Sequence, residues 1–213
     1  MTEQTNEVKR PQTPQEAWDA MKAGNRRFVS GALAHPRQDI DRRASIAGVQ
    51  TPFAALFGCA DSRLSAEIIF DVGLGDLFVV RNAGQVIAET ILGSLEYSVE
   101  VLGVALILVL GHDECGAIRA TIDATEGRVN AKGEFIHDLV ARITPTVLEA
   151  NALGKFQIDE VTELHVIDTI NEMVTRSKVI ADAIKAGKLA VVGANYKLVE
   201  GDIHPITIQG NIH

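Results

Sequence analysis

Only two of the 213 residues are cysteine, and one is tryptophan. Two cysteines cannot carry the disulfide framework on which small secreted domains depend. Aromatic residues make up 5% of the chain, against 46% for hydrophobic residues as a whole. The core must therefore be packed from Val, Ile, Leu and Ala. Positive charge is in deficit: 20 Lys and Arg stand against 28 Asp and Glu, a formal net charge of -8. That balance argues against a nucleic-acid partner, because binding phosphates needs a basic face. Residues 1–10 are polar and charged and lack the apolar stretch of a secretory signal. No apolar run approaches the ~20 residues of a membrane span, so no membrane partner is expected and the chain reads as cytoplasmic. In a reducing compartment its two cysteines serve as metal ligands or lie buried as thiols.

The length suits one α/β domain with terminal extensions. Residues 1–12 read as a polar arm and 13–213 as a single domain, with a helical arm over 13–47 and an α/β core over 50–213. Thr13-Pro14-Gln15-Glu16 has the form of a capping box with proline at the first helical position. The helix it opens includes Trp18 and Met21; Gly24 is its expected stop, with a second short helix beginning there. A loop over 31–39 and a third short helix over 40–47 complete the arm. Strands are expected at 53–57, 76–80, 104–110 and 189–193, and an edge strand at 203–208. Helices are expected at 64–70, 89–102, 116–127, 138–153 and 159–185, with Pro145 as a kink or break. Continuous apolar strands alternating with helices predict an α/β fold. Its mostly parallel sheet is flanked by helices, with an N-terminal helical arm, an antiparallel edge strand and ligands bound beyond the carboxyl ends of the strands.

Both cysteines follow strands. Cys59 opens Cys59-Ala60-Asp61-Ser62-Arg63, and Cys115 closes His112-Asp113-Glu114-Cys115. If the two strands are neighbours, about 4.8 Å apart, both thiolates and the His112 imidazole can reach one ion. Sulfur with imidazole favours zinc over magnesium or calcium. Three protein ligands leave the fourth position open, as a catalytic zinc requires. Asp61 can accept a hydrogen bond from a zinc-bound water or take the fourth position itself. Arg63 can hold Asp61 off the metal through a bidentate pair. Zinc lowers the pKa of a bound water from ~15.7 to about 7; electron-rich thiolates weaken that effect, so activity should rise with pH. The competing readings are buried core thiols for the cysteines and helix caps for Asp61 and Ser62.

These motifs resemble the two signatures of the β-class carbonic anhydrases, Cys59-Ala60-Asp61-Ser62-Arg63 and His112-x-x-Cys115-Gly116. The resemblance takes in Gly24-Asn25-Arg26-Arg27-Phe28, Phe78-Val79-Val80-Arg81-Asn82-Ala83-Gly84, Glu96-Tyr97 and residues 189–193, and extends from about residue 13 to residue 208. It implies reversible hydration of carbon dioxide to bicarbonate and a proton by zinc-bound hydroxide, with Zn2+ held by Cys59, His112 and Cys115. Asp61, fixed by Arg63, would orient the hydroxide or gate the fourth position. Gln50 would donate to a substrate oxygen, with Phe78, Ala83 and Tyr97 as the other pocket positions. The resemblance further implies a homodimer or dimer of dimers with the cleft at the subunit interface, and Trp18 of the N-terminal helix buried against the neighbouring subunit.

The chain departs from the commonest family pattern in three places. Asp113 and Glu114 stand between the ligands, where they are expected to face solvent, and Ala117 replaces a second glycine. Leu56 occupies the position of a tryptophan belonging to one subclass's regulatory bicarbonate site. That argues against such regulation, although Arg81 and Tyr196 match its other members. No histidine stands out as a proton shuttle: His35, His137, His165, His204 and His213 read as surface or packing residues. The alternative activity on the same scaffold is hydrolysis of carbonyl sulfide or carbon disulfide. A non-catalytic zinc or redox-sensing protein is disfavoured, because a closed structural site has four protein ligands.

Overall fold

The structure, a computed structural model, describes residues 10–128 and 132–213. Residues 1–9, most of the expected polar arm, lie outside it. The first helix, α1 (Pro14–Val29), opens with the expected box: the Thr13 hydroxyl accepts the Glu16 N–H and the Glu16 carboxylate accepts the Thr13 N–H, each at 3.2 Å. The helix does not stop at Gly24. A Cβ at that position would lie 1.7 Å from the Phe70 carbonyl oxygen, so this glycine marks a close approach of α1 to the core rather than a helix end. Ala17, Trp18, Met21, Gly24 and Asn25 form the buried face of α1. Trp18 is only 3% exposed in the single chain. Its own core covers it, which corrects the expectation that a neighbouring subunit does so. After a loop fastened by Asp71, whose carboxylate accepts the N–H groups of Ala34 and His35 at 2.9 Å each, comes α2 (Ile40–Ser45).

Four strands are parallel: β1 (Ala54–Cys59), β2 (Leu77–Asn82), β3 (Leu106–His112) and β4 (Ala190–Tyr196). The fifth, β5 (Ile203–Gln209), pairs antiparallel with β4 at one edge, and the order is β2-β1-β3-β4-β5. Every residue of β1, β3 and β4 is buried, which is why those runs are apolar without alternation. The remaining helices are α3 (Ala66–Ile69), α4 (Glu89–Glu100), α5 (Gly116–Thr125), α6 (Glu134–Ala152), α7 (Ile158–Arg176) and α8 (Lys178–Lys185). On one face of the sheet Trp18, Phe70 and Met21 pack with Leu56, Leu108 and Val192. On the other, Leu95, Val166 and Ile170 pack with Phe57, Val109 and Val191. Full burial of each such side chain is worth about 1.5–3 kcal/mol.

Pro145 neither ends nor breaks α6. It sits on the exposed side of the helix, as does Ala141 one turn earlier. Water can therefore reach the carbonyl that proline leaves without a donor. None of the described helices is long and apolar enough to cross a membrane.

Candidate metal centre

Strands β1 and β3 are direct neighbours, with Gly58 opposite Leu110. Cys59 ends β1, His112 ends β3, and Cys115 caps the N-terminus of α5. The sheet thus delivers the three donors to one point, where the two sulfurs and an imidazole nitrogen lie within 4.8 Å of one another. All three side chains are buried, and both cysteines are free thiols.

The donor set suits a cation. His112 Nδ1 lies 2.7 Å from the carbonyl oxygen of Asp113, an acceptor only, so Nδ1 carries the proton and Nε2 keeps a lone pair. Nε2 is buried and has no hydrogen-bond partner among the described residues. The two sulfurs stand close to each other, so only one of them readily gives up its proton. The Cys115 thiol, donating toward Cys59, holds Cys59 well below the ordinary thiol range, helped by the Gly84 N–H. The same contact, together with burial, pushes Cys115 up, although the N–H groups of Ala117 and Ile118 pull against it. A soft cation on both sulfurs would remove that conflict.

Asp61 stands beside the cluster. Its Oδ1 accepts the Arg63 backbone N–H and Nε, each at 2.9 Å, and its Oδ2 accepts Arg63 Nη2 at 2.7 Å. Chiefly through that guanidinium, its carboxyl is held well below the usual carboxylate range. Asp61 Oδ2 lies 3.9 Å from His112 Nε2, so the carboxylate faces the point where the donors converge. Arg81 fixes the backbone beneath, its Nε donating to the Cys59 carbonyl at 2.9 Å and its Nη2 to that of Asp61 at 2.6 Å. Ser62 caps no helix; α3 begins after Ser65.

The two carboxylates between the ligands part company. Glu114 is exposed and pairs with Arg119, as expected. Asp113 turns inward instead, and its Oδ1 accepts the Leu198 N–H at 2.9 Å. It ties the ligand turn to the segment after β4.

The expected pocket positions divide. Ala83 follows Asn82, which pairs with Cys59 in the sheet, and so adjoins the cluster. Phe78 pairs with Ala55, four residues before Cys59, roughly 13 Å back along the strand at about 3.3 Å per residue. It packs against Tyr97, the ring centroids 6.1 Å apart, and Tyr97 is 44% exposed. Gln50 is exposed in the segment before β1. The single chain does not gather Gln50, Phe78 and Tyr97 around the three donors.

One residue near the centre, His165, has in sequence the marks of no more than a surface or packing histidine. His165, on α7, sends Nε2 to the Gly84 carbonyl oxygen at 2.8 Å, while the Gly84 N–H lies 3.4 Å from Cys59 Sγ. Sequence holds no signal for this contact, which joins residues 81 positions apart.

A mostly parallel sheet with two cysteines and a histidine gathered at its carboxyl end defines an α/β protein with a candidate metal site, and comparison with known proteins identifies the family. A carbonic anhydrase family profile matches residues 54–203. A carbonic anhydrase of Mycolicibacterium smegmatis is 48% identical over 93% of this chain and 96% of that protein. Carbonic anhydrase 2 of Mycobacterium tuberculosis is 49% identical over 88% and 90%. Among solved structures, a Coccomyxa β-carbonic anhydrase in complex with acetazolamide is 26% identical, with a TM-score of 0.70, over 88% of this chain and 86% of that one. A β-carbonic anhydrase of Sordaria macrospora, described as tetrameric, has the same fold at 22% identity, with a TM-score of 0.71, over 79% and 87%. The chain belongs to the carbonic anhydrase family, in its β class, and is an enzyme of that family.

Proposed function

We propose that the chain catalyses the reversible hydration of carbon dioxide to bicarbonate and a proton, with zinc held by Cys59, His112 and Cys115. The observation that carries this reading is the convergence of three buried donors within 4.8 Å, one of them an unpartnered imidazole nitrogen, beside an ionised carboxylate. When bound, zinc supplies a Lewis acid that lowers the pKa of a water from ~15.7 to about 7.

Asp61, kept ionised by Arg63, can only accept hydrogen bonds. It therefore selects an oxygen that carries a proton: the attacking water in one direction, the hydroxyl of bicarbonate in the other. Arg63 occupies both carboxylate oxygens and so fixes the direction in which Asp61 accepts. The same pair can act as a gate. While Asp61 is held on Arg63, Cys59, His112 and Cys115 would hold the zinc without it; released, the carboxylate, 3.9 Å from His112 Nε2, would be near enough to join them as a ligand.

The substrate walls come from a second copy of the chain. Gln50, Phe78 and Tyr97 stand away from the donors of their own subunit yet expose polar and aromatic surface. A homodimer or dimer of dimers that brings them to a partner's centre gives them a role. Two free thiols as ligands fit work in the reducing cytoplasm.

The experiment is metal analysis with stopped-flow hydration of carbon dioxide on wild type and Cys115→Ser. Wild type should bind about one zinc per chain and turn over carbon dioxide, and the variant should lose most of both. Full zinc retention by the variant, or faster turnover of carbonyl sulfide than of carbon dioxide by wild type, would overturn the reading.

A further inference from the structure

We infer that His165 is a positioning residue of the metal centre, holding Gly84 so that its N–H stays on Cys59 Sγ. The inference rests on the proposed metal centre. Gly84 is gripped at both ends: its N–H points to Cys59 Sγ at 3.4 Å, and its carbonyl oxygen receives His165 Nε2 at 2.8 Å. It sits in the left-handed region, φ 74°, within the short turn Ala83–Gln85. Asn82 staples that turn to Val86, accepting its N–H at 2.9 Å and donating to its carbonyl at 2.8 Å. The His165 hydrogen bond ties the turn to α7.

The protonation state follows from the partner. A carbonyl oxygen only accepts, so Nε2 carries the hydrogen. Burial lowers the pKa of His165 and keeps it neutral. Its Nδ1 is then a bare acceptor without a hydrogen-bond partner among the described residues. His165 also lines a cavity of about 130 Å³, together with Arg142, Thr146 and Asp168. Asp168 Oδ2 accepts the Thr146 hydroxyl at 2.5 Å, while the ring's hydrogen bond goes to Gly84. Bonds behind a ligand orient it and tune its basicity, and their loss typically costs 10–100-fold in metal affinity or activity. Without His165 the Gly84 N–H should slacken and leave the Cys59 thiolate richer in electrons.

The test uses cobalt(II)-loaded wild type, His165→Leu and His165→Gln. Leucine removes the donor, whereas glutamine keeps an N–H at similar reach. In His165→Leu the thiolate-to-cobalt absorption should move to longer wavelength, and cobalt should pass to a chelator about 10-fold faster or more. His165→Gln should restore both. Unchanged absorption and release in His165→Leu would overturn the inference, as would a leucine effect that glutamine does not relieve. If His165→Leu does not fold, 15N spectra of wild-type imidazoles decide. Nitrogen shifts of a neutral ring protonated at Nε2 support the role, and protonation at Nδ1 overturns it. No thiolate absorption in cobalt-loaded wild type would instead overturn the metal centre, and the inference with it.

Discussion

Replacing Gly84 by alanine should damage both the fold and the metal centre. The residue holds φ 74°, where a Cβ costs about 1–2 kcal/mol. That Cβ would lie 2.8 Å from Ala117 Cβ and 2.9 Å from Ile143 Cδ1. Ala117 cannot yield unless α5 moves, and Ile143 is fully buried, so the contact adds an overpacking cost of about 1–3 kcal/mol. Together the two terms come to about 2–5 kcal/mol. For a chain of this length each kcal/mol shifts the melting temperature by about 2 °C or more, so Gly84→Ala should melt at least ~4–10 °C lower. Moving α5 also moves Cys115 at its N-cap, so zinc should dissociate faster as well. The assay is calorimetric melting at one fixed protein concentration, paired with zinc release to a chromogenic chelator. A melting point within about 1 °C of wild type, with unchanged release, would refute the packing argument.

Gly24→Ala tests the other close approach: about 1 kcal/mol of helix propensity is gained, but a Cβ 1.7 Å from the Phe70 carbonyl oxygen cannot be seated, so chemical denaturation should report a net loss of stability. Asp61→Asn should retain zinc and lose most hydration activity, because an amide can donate where the carboxylate only accepts; near-normal turnover would remove Asp61 from the mechanism. Arg63 lowers the folded-state pKa of Asp61 below its unfolded value near 3.9. The stability this contributes is therefore fully present above about pH 5 and lost as pH falls toward the folded value. Urea melts should show a wild-type advantage over Asp61→Asn that is steady from pH 7 to about pH 5 and shrinks in acid; an advantage that grows in acid would contradict the sign.

Much of this molecule was legible because its chemistry sits at strand ends. Apolar runs that bury on both faces need no partner to be recognised, and Cys59 and His112 close two of them. Tertiary contacts account for the misreadings. Gly24 resembles a helix stop, and only the proximity of Phe70 explains it. The family resemblance implies a neighbouring subunit over Trp18, yet the chain's own core covers it. Pro145 reads as a breaker unless its exposure is known. Asp113 could not be matched to Leu198, nor His165 to Gly84, because those bonds join segments that sequence spacing does not relate.

The most direct test of the central claim is the rate of carbon dioxide hydration at alkaline pH by zinc-loaded protein, compared with a Cys59→Ser control. A fast rate that depends on the metal and vanishes in the control is the predicted result. A wild-type rate no better than that of Cys59→Ser, with one zinc still bound per wild-type chain, would contradict it.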